Sequence, residues 1–174
     1  MNIQTRTSWI VMPLAFLLLV STSVIEAGDK ARSGLPTISD IAETTEGFGT
    51  LYAALEAAGL EETFDGERHF TVFAPTDEAF AELLGDLGLT ADQLLANTEL
   101  LVAVLQYHVT RGDRYSGSVL AAGALRMLDR NTTTTSVTDA GAMINDAVIT
   151  SVDIRASNGV VHVIDKVLVP PGLL

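Results

Sequence analysis

The sequence predicts an α+β domain around one core, with short helices first and an antiparallel sheet after. Three observations carry that prediction. Residues from about 36 to 110 read as capped, amphipathic helical segments with one interruption, and the later part is rich in β-branched residues. In that later part Asn-Asp and Asn-Gly pairs separate apolar runs at short intervals, as turns between consecutive strands do. A chain of 174 residues holds one such domain and is too short for two.

In chain order, Pro36-Thr37 opens the first helix, with Thr37 as N-cap and Asp40 completing a variant of the capping box. Phe48, Leu51, Tyr52 and Leu55 follow at helical spacing, and Gly59-Leu60 supplies a glycine stop with a trailing hydrophobe. His69 to Ala74 reads as a strand ended by Pro75, after which Thr76 caps a helix carrying Phe80, Leu83 and Leu84. Thr90 and Gln93 form another capping box, and Asn97 caps a helix from Thr98 to about Val109. Its unbroken run Leu100 to Leu105 predicts burial on most of its circumference, hence a central helix. Strands are expected at Tyr115 to Leu120, Leu125 to Leu128 and Thr132 to Thr138. Asn145-Asp146 divides Ala142-Met143-Ile144 from Ala147 to Ile154, and Asn158-Gly159, the stronger hairpin signal, divides that strand from Val160 to Val169. This last run, nearly all Val, Ile and Leu before Pro170-Pro171, predicts a strand covered on both faces.

Arg6, an apolar run from Trp9 to Val20, and then the small and polar stretch Ser21-Thr22-Ser23 before Glu26-Ala27-Gly28 have the layout of a secretory signal peptide over residues 1–27. A polar linker over 28–35 and a folded domain over 36–171 follow. The apolar run is shorter than the ~20 residues a membrane-spanning helix needs, and Pro13 interrupts it. A cleaved leader, no membrane insertion after cleavage, and a secreted, periplasmic or cell-surface location are expected; Ile25, bulky for the minus-three position of a cut after Ala27, leaves cleavage nearer Ser23 and retention as an uncleaved anchor as alternatives. The chain has no cysteine, so the core alone must hold the domain. Its net charge is −12, and losing Arg6 and Glu26 with the leader leaves that value unchanged. Such a field repels polyanions, and no basic cluster stands out in the sequence, so nucleic acid and anionic lipid are not expected partners.

Thr71-Val72-Phe73-Ala74-Pro75-Thr76-Asp77-Glu78-Ala79-Phe80 resembles the first signature box of fasciclin domains. Tyr107-His108-Val109 resembles their tyrosine-histidine motif, and Asn158-Gly159-Val160-Val161-His162-Val163-Ile164-Asp165 resembles their second box. Order and spacing agree over roughly residues 36 to 170. The resemblance implies a β-wedge or sandwich with a packed layer of short helices, and a role in adhesion or in binding surface polymers. It also nominates Tyr107 and His108 as an adhesion motif.

The residues themselves qualify that nomination. His108 shares an apolar helix face with Leu101 and Leu105, which predicts a buried, hydrogen-bonded imidazole and leaves contact to Tyr107 and the loop after it. Arg111-Gly112-Asp113 spells the integrin tripeptide in that loop, although Gly112 also suits a helix stop. The candidate binding residues are therefore Tyr107, His108, Arg111 and Asp113. The first box reads as a strand-to-helix junction. Asp165 alternates with Val163 and Val167, which predicts a buried carboxylate with donors near Thr76. Asn131-Thr132-Thr133 is an N-glycan acceptor only in a eukaryotic host. His69, His108 and His162 stand apart without metal-ligand spacing, and neither a Gly-x-Ser-x-Gly turn nor a cysteine offers a nucleophile, so no metal, cofactor or catalysis is expected. The expected function is a fasciclin-type interaction module for a surface protein or polysaccharide, acting as a monomer or weak oligomer. The alternative is a periplasmic small-ligand-binding or stress-related protein with a pocket beneath the helices.

Overall fold

The computed structural model describes residues 34–65 and 68–173; the leader at 1–27 and all but the last two residues of the 28–35 linker lie outside the described residues. The helical part begins where its cap predicts. Thr37 Oγ1 accepts the Asp40 N–H at 3.1 Å and Asp40 Oδ2 accepts the Thr37 N–H at 2.8 Å, opening α1 (Ile38–Thr44). Helices α2 (Gly49–Ala57) and α3 (Glu61–Asp65) lead into strand β1 (Phe70–Pro75). Thr76 then caps α4 (Asp77–Leu87), which stops at Gly88 with φ 63°. The Thr90/Gln93 capping box opens α5 (Ala91–Ala96), and the Asn97 carboxamide accepts the Leu100 N–H to open α6 (Thr98–Tyr107).

Beyond α6 the chain forms β2 (Val109–Arg111), α7 (Ser116–Ala122), β3 (Ala124–Arg126), β4 (Thr132–Thr138), β5 (Gly141–Ile144), β6 (Ala147–Ala156) and β7 (Gly159–Ile164). They make a 7-stranded sheet in the order β2-β1-β7-β6-β5-β4-β3. It is not wholly antiparallel as expected: β1 lies parallel to β7, pairing Thr71 with Val160 and Phe73 with His162. The strand that arrives from the helical half is inserted between β2 and β7, and only a long crossover can deliver it there. The two edges then meet. Thr110 bridges Met127, and the Leu128 N–H donates to Val109 O at 2.8 Å, which nearly closes the sheet on itself.

Pleating of the central strands separates two apolar clusters. Phe70, Val72 and Ala74 of β1 and Val161 of β7 face the helices, where they pack with Ile38, Leu51, Phe80, Leu101 and Leu105. Phe73 and Ile164 face the other way, into the closing sheet, with Tyr107, Val119, Leu125 and Ile144. Both strands are thus covered on both faces, as the unbroken apolar run in β7 predicts. Only Leu101, Val104 and Leu105 of the Leu100 to Leu105 run are buried, so α6 turns one side to the core rather than most of its circumference.

Four local expectations are corrected. Tyr115 to Leu120 is mostly helix α7: the Tyr115 carbonyl accepts the Ser118 and Val119 N–H groups, and Asp153 from β6 takes the Ser116 N–H at 2.7 Å, a tertiary cap that local sequence does not announce. Helix α6 ends at Tyr107, and Arg111 terminates a short strand. Strand β7 ends at Ile164, and Asp165 is exposed, its carboxylate accepting the Val148 N–H at 2.7 Å across the hairpin rather than donors near Thr76. The turn after β6 is Ser157-Asn158, and Gly159 has an ordinary φ. Glycine is required there by crowding, since a Cβ at 159 would lie 2.0 Å from Phe70 O and 2.9 Å from Ile38 Cδ1. Asn158 is buried beside it, accepting the Ile38 N–H at 3.0 Å and donating to Phe64 O, so one side chain ties α1 and α3 to the sheet.

Candidate functional site

The nominated motif residues Tyr107 and His108 point inward. His108 is 1% exposed, at the C-cap of α6. Its Nδ1 lies 2.7 Å from Val104 O, and a carbonyl only accepts, so Nδ1 carries the proton. Nε2 then accepts the Leu168 N–H at 2.8 Å, pinning the segment after β7 onto the helix. Burial pushes the imidazole pKa down to about 4, against a smaller opposing effect of the Val104 carbonyl. Tyr107 is 3% exposed, with its hydroxyl donating to Thr132 O at 3.4 Å and accepting from Asn145 Nδ2 at 3.1 Å. The pair joins α6 to β4, to the β5-β6 turn and to the segment after β7, and the contact role assigned to Tyr107 has no surface to act through in this conformation.

Other residues hold the loop from Arg111 to Ser116 in place. Its backbone is gripped from several strands at once. The Thr71 hydroxyl donates to Gly112 O at 2.7 Å and accepts the Arg114 N–H at 2.8 Å, while the Gly112 N–H donates to His69 O at 2.8 Å. Gly112 has φ 82°, a conformation that favours glycine. The Asp113 carboxylate meets His69 Nδ1 at 2.9 Å. From β7, His162 donates through Nε2 to Arg114 O at 2.8 Å and accepts the Asp153 N–H on Nδ1 at 3.3 Å, with its ring stacked on Phe73 at 5.4 Å. Burial lowers the His162 pKa, only partly offset by the Arg114 carbonyl and Asp153, and the ring serves as a neutral strut.

Asp153 closes the grip. It sits at an irregularity of β6 with φ 61°, and its carboxylate takes both the N–H and the hydroxyl of Ser116 at 2.7 Å. Burial pushes its pKa up, but the Ser116 hydrogen bonds and the attraction of His162 and Arg155 outweigh that and hold the carboxyl below its usual value. Arg155 lies 5.6 Å from the Tyr115 ring centroid. Arg111 and Arg114 are exposed on this frame and Asp113 is half-buried. Of the four nominated residues, the structure therefore leaves Arg111 and Asp113 at the surface. Sequence reasoning missed Thr71, Asp153 and His162 as the loop's supports; an Asp between apolar residues in a strand, as in Val152-Asp153-Ile154, is the one signal that could have found any of them.

Among the described residues no group of three or more His, Asp or Glu side chains is placed to hold a metal ion, and no helix is long and apolar enough to cross a membrane. The family model for the fasciclin domain matches residues 46–170. The protein sll1483 of Synechocystis sp. is 42% identical over 143 residues, covering 81% of this chain and 77% of that one. The transforming growth factor-beta-induced protein ig-h3 of Sus scrofa is 38% identical over 136 residues, covering 78% of this chain and 19% of its own length. Among solved structures, a FAS1 domain pair from the insect cell adhesion molecule Fasciclin I superposes with a TM-score of 0.65 at 18% identity, covering 79% of this chain and 52% of that one. The chain belongs to the fasciclin domain family.

Proposed function

We propose that the protein is an extracytoplasmic interaction module, secreted, periplasmic or held at the cell surface, which binds a surface protein or polysaccharide and catalyses nothing. The observation that carries this reading is the grip on the 111–116 loop, which holds Arg111 and Asp113 on a backbone fixed from β1, β6 and β7. A loop ordered before contact loses little conformational entropy on binding, which favours recognition. Family membership and the likeness to a protein described as a cell adhesion molecule support the same reading. The absence of catalysis is supported by the state of the buried histidines, since both ring nitrogens of His108 and of His162 are committed to backbone partners. A small-ligand carrier would need room beneath the helices. The apolar cavity between α1, α2 and β1 measures about 20 Å³, room for about one water molecule, so that reading gains no support there. The test is binding of the immobilised full chain to purified surface polysaccharides and extracellular proteins. Saturable binding that Arg111→Gln or Asp113→Asn weakens, with the thermal midpoint retained, is expected; binding indifferent to both substitutions refutes the loop as the contact surface.

A further inference from the structure

The chain has 22 acidic residues against 10 basic ones, and its arginines are scattered in sequence. Folding gathers them. Closure of the sheet sets the end of β2 beside the end of β3, through the Thr110–Met127 bridge and a 2.8 Å hydrogen bond from the Thr110 hydroxyl to Arg126 O. A cleft of about 440 Å³ runs along this seam, lined by Arg111, Arg114, Arg126 and Arg130, with Met127 and Leu128 contributing apolar surface. The expectation that no basic cluster offsets the acidic surface is thereby corrected.

Among the described residues the four arginines are all exposed, none is in a salt bridge, and no carboxylate lines the cleft. The acids nearest in sequence are turned elsewhere: Asp113 to His69, and Asp129 to the backbone N–H and side-chain amide of Asn131. Arg114 is fixed through its own N–H and carbonyl, and Arg130 is held at φ 75°, a conformation disfavoured for a residue with a side chain. Guanidinium groups crowded in one cleft repel one another until an oxyanion bridges them, and their planar forks match carboxylate and sulfate geometry. The net charge of −12 repels a polyanion from a distance, but at physiological salt that repulsion is screened beyond about 8 Å, so the local arginines decide binding at the cleft.

We propose that this seam cleft binds an acidic polysaccharide, a sugar chain whose carboxylate or sulfate oxyanions are spaced one or so per residue. The inference deepens the interaction reading above and rests on it. The volume lies within the roughly 300–1,000 Å³ of ligand clefts. Nucleic acid fits less well, because among the described residues no aromatic side chain lines the cleft to stack a base.

The experiment offers the immobilised full chain to alginate, which bears carboxylates, to heparin, which bears sulfates, and to neutral dextran and poly-glutamate. Saturable binding of either acidic polysaccharide is expected, weakening steeply as salt rises above about 0.15 M. Alginate alone assigns the carboxylate source, heparin alone the sulfate source, and both the shared oxyanion chemistry. Arg111→Gln with Arg126→Gln should raise Kd by at least about tenfold at an unchanged thermal midpoint. Arg130→Asn provides a second variant, since asparagine tolerates the left-handed backbone, and should weaken binding too. Equal affinity of variants and parent overturns the proposal, as does tighter binding of poly-glutamate, which would assign the cleft to acidic peptides. Binding of dextran or a surface protein without either acidic polymer overturns this inference and leaves the interaction module standing; binding of no polymer or surface protein overturns both.

Discussion

Acidifying the protein from pH 7 to pH 5 should remove on the order of 2 kcal/mol of stability through His108 alone. The folded state holds this imidazole neutral with a pKa near 4, against 6.5 when exposed. A group whose folded pKa is depressed in this way, being a base, binds its proton more readily in the unfolded chain, so stability is intact above pH 6.5 and falls as the pH drops towards 4. Each unit of difference is worth about 1.4 kcal/mol, which gives ~2 kcal/mol lost by pH 5 and ~3 kcal/mol by pH 4. The geometry explains why no cheaper accommodation exists. A second proton on Nε2 would face the Leu168 N–H, donor against donor, in a site 1% exposed. His162 is shifted in the same direction and adds to the loss, whereas the depressed carboxyl of Asp153 acts only as the pH falls through the carboxylate range. Urea unfolding at pH 7, 6 and 5, compared between the parent and His108→Gln, isolates the effect, because relief of acidic self-repulsion is common to both. The variant should start about 1–3 kcal/mol less stable and lose about 2 kcal/mol less on acidification. The ring resonances of His108 in the parent give a second readout and should stay nearly still from pH 7 to pH 5. A ring that titrates near 6.5, or an acid dependence identical in parent and variant, would refute the buried-strut account.

Gly159→Ala should lower stability by about 3 kcal/mol or more, because its Cβ would meet the backbone of Phe70 at 2.0 Å and the β1-β7 pairing would have to part; an unchanged thermal midpoint rejects this. Ser39→Ala should raise stability by about 0.5–1 kcal/mol, since Ser39 Oγ is buried without a hydrogen-bond partner and alanine is the better helix former; a lower midpoint contradicts it. Asp153→Asn keeps the left-handed backbone but weakens both bonds from Ser116, and the site is half-exposed, so a modest loss of about 1 kcal/mol is expected. Faster amide exchange at Arg114 and Ser116, with the helical core unaffected, is the measurement that checks it.

Where structure follows from neighbours in sequence, the sequence was legible. Thr37 with Asp40, Thr76, Thr90 with Gln93, and Asn97 each satisfy amides three residues away, and every helix they cap begins where the residues place it. Strand β4 and the Asn145-Asp146 turn follow from β-branching and from an asparagine that adopts φ 52°. Elements that depend on distant partners were not legible. The run at 116–122 becomes helix because Asp153 caps it from 37 residues away. Likewise Asn158-Gly159 looks like a turn pair, yet Gly159 is needed by Phe70 and Ile38, which meet it only after β1 is laid beside β7.

The same distinction explains the candidate site. The parallel pairing of β1 with β7 brings the two fasciclin signature boxes together, and Thr71 from one and His162 from the other close on a single residue, the first taking the Arg114 N–H and the second donating to the Arg114 carbonyl. Tyr107 and His108 brace the neighbouring ends of α6, β4 and the segment after β7. All of these contacts to the loop at Gly112 and Arg114 reach backbone atoms, so the clamp is indifferent to which side chain residue 114 projects outward. A clamp of that kind separates two tasks: the boxes fix the path of the chain, and the exposed side chains of the loop and the seam are free to set what is bound. The motifs easiest to recognise in the sequence are therefore the ones buried in the fold. The arginines proposed to face a partner, Arg111, Arg114, Arg126 and Arg130, stand together in no sequence window, and closure of the sheet assembles them.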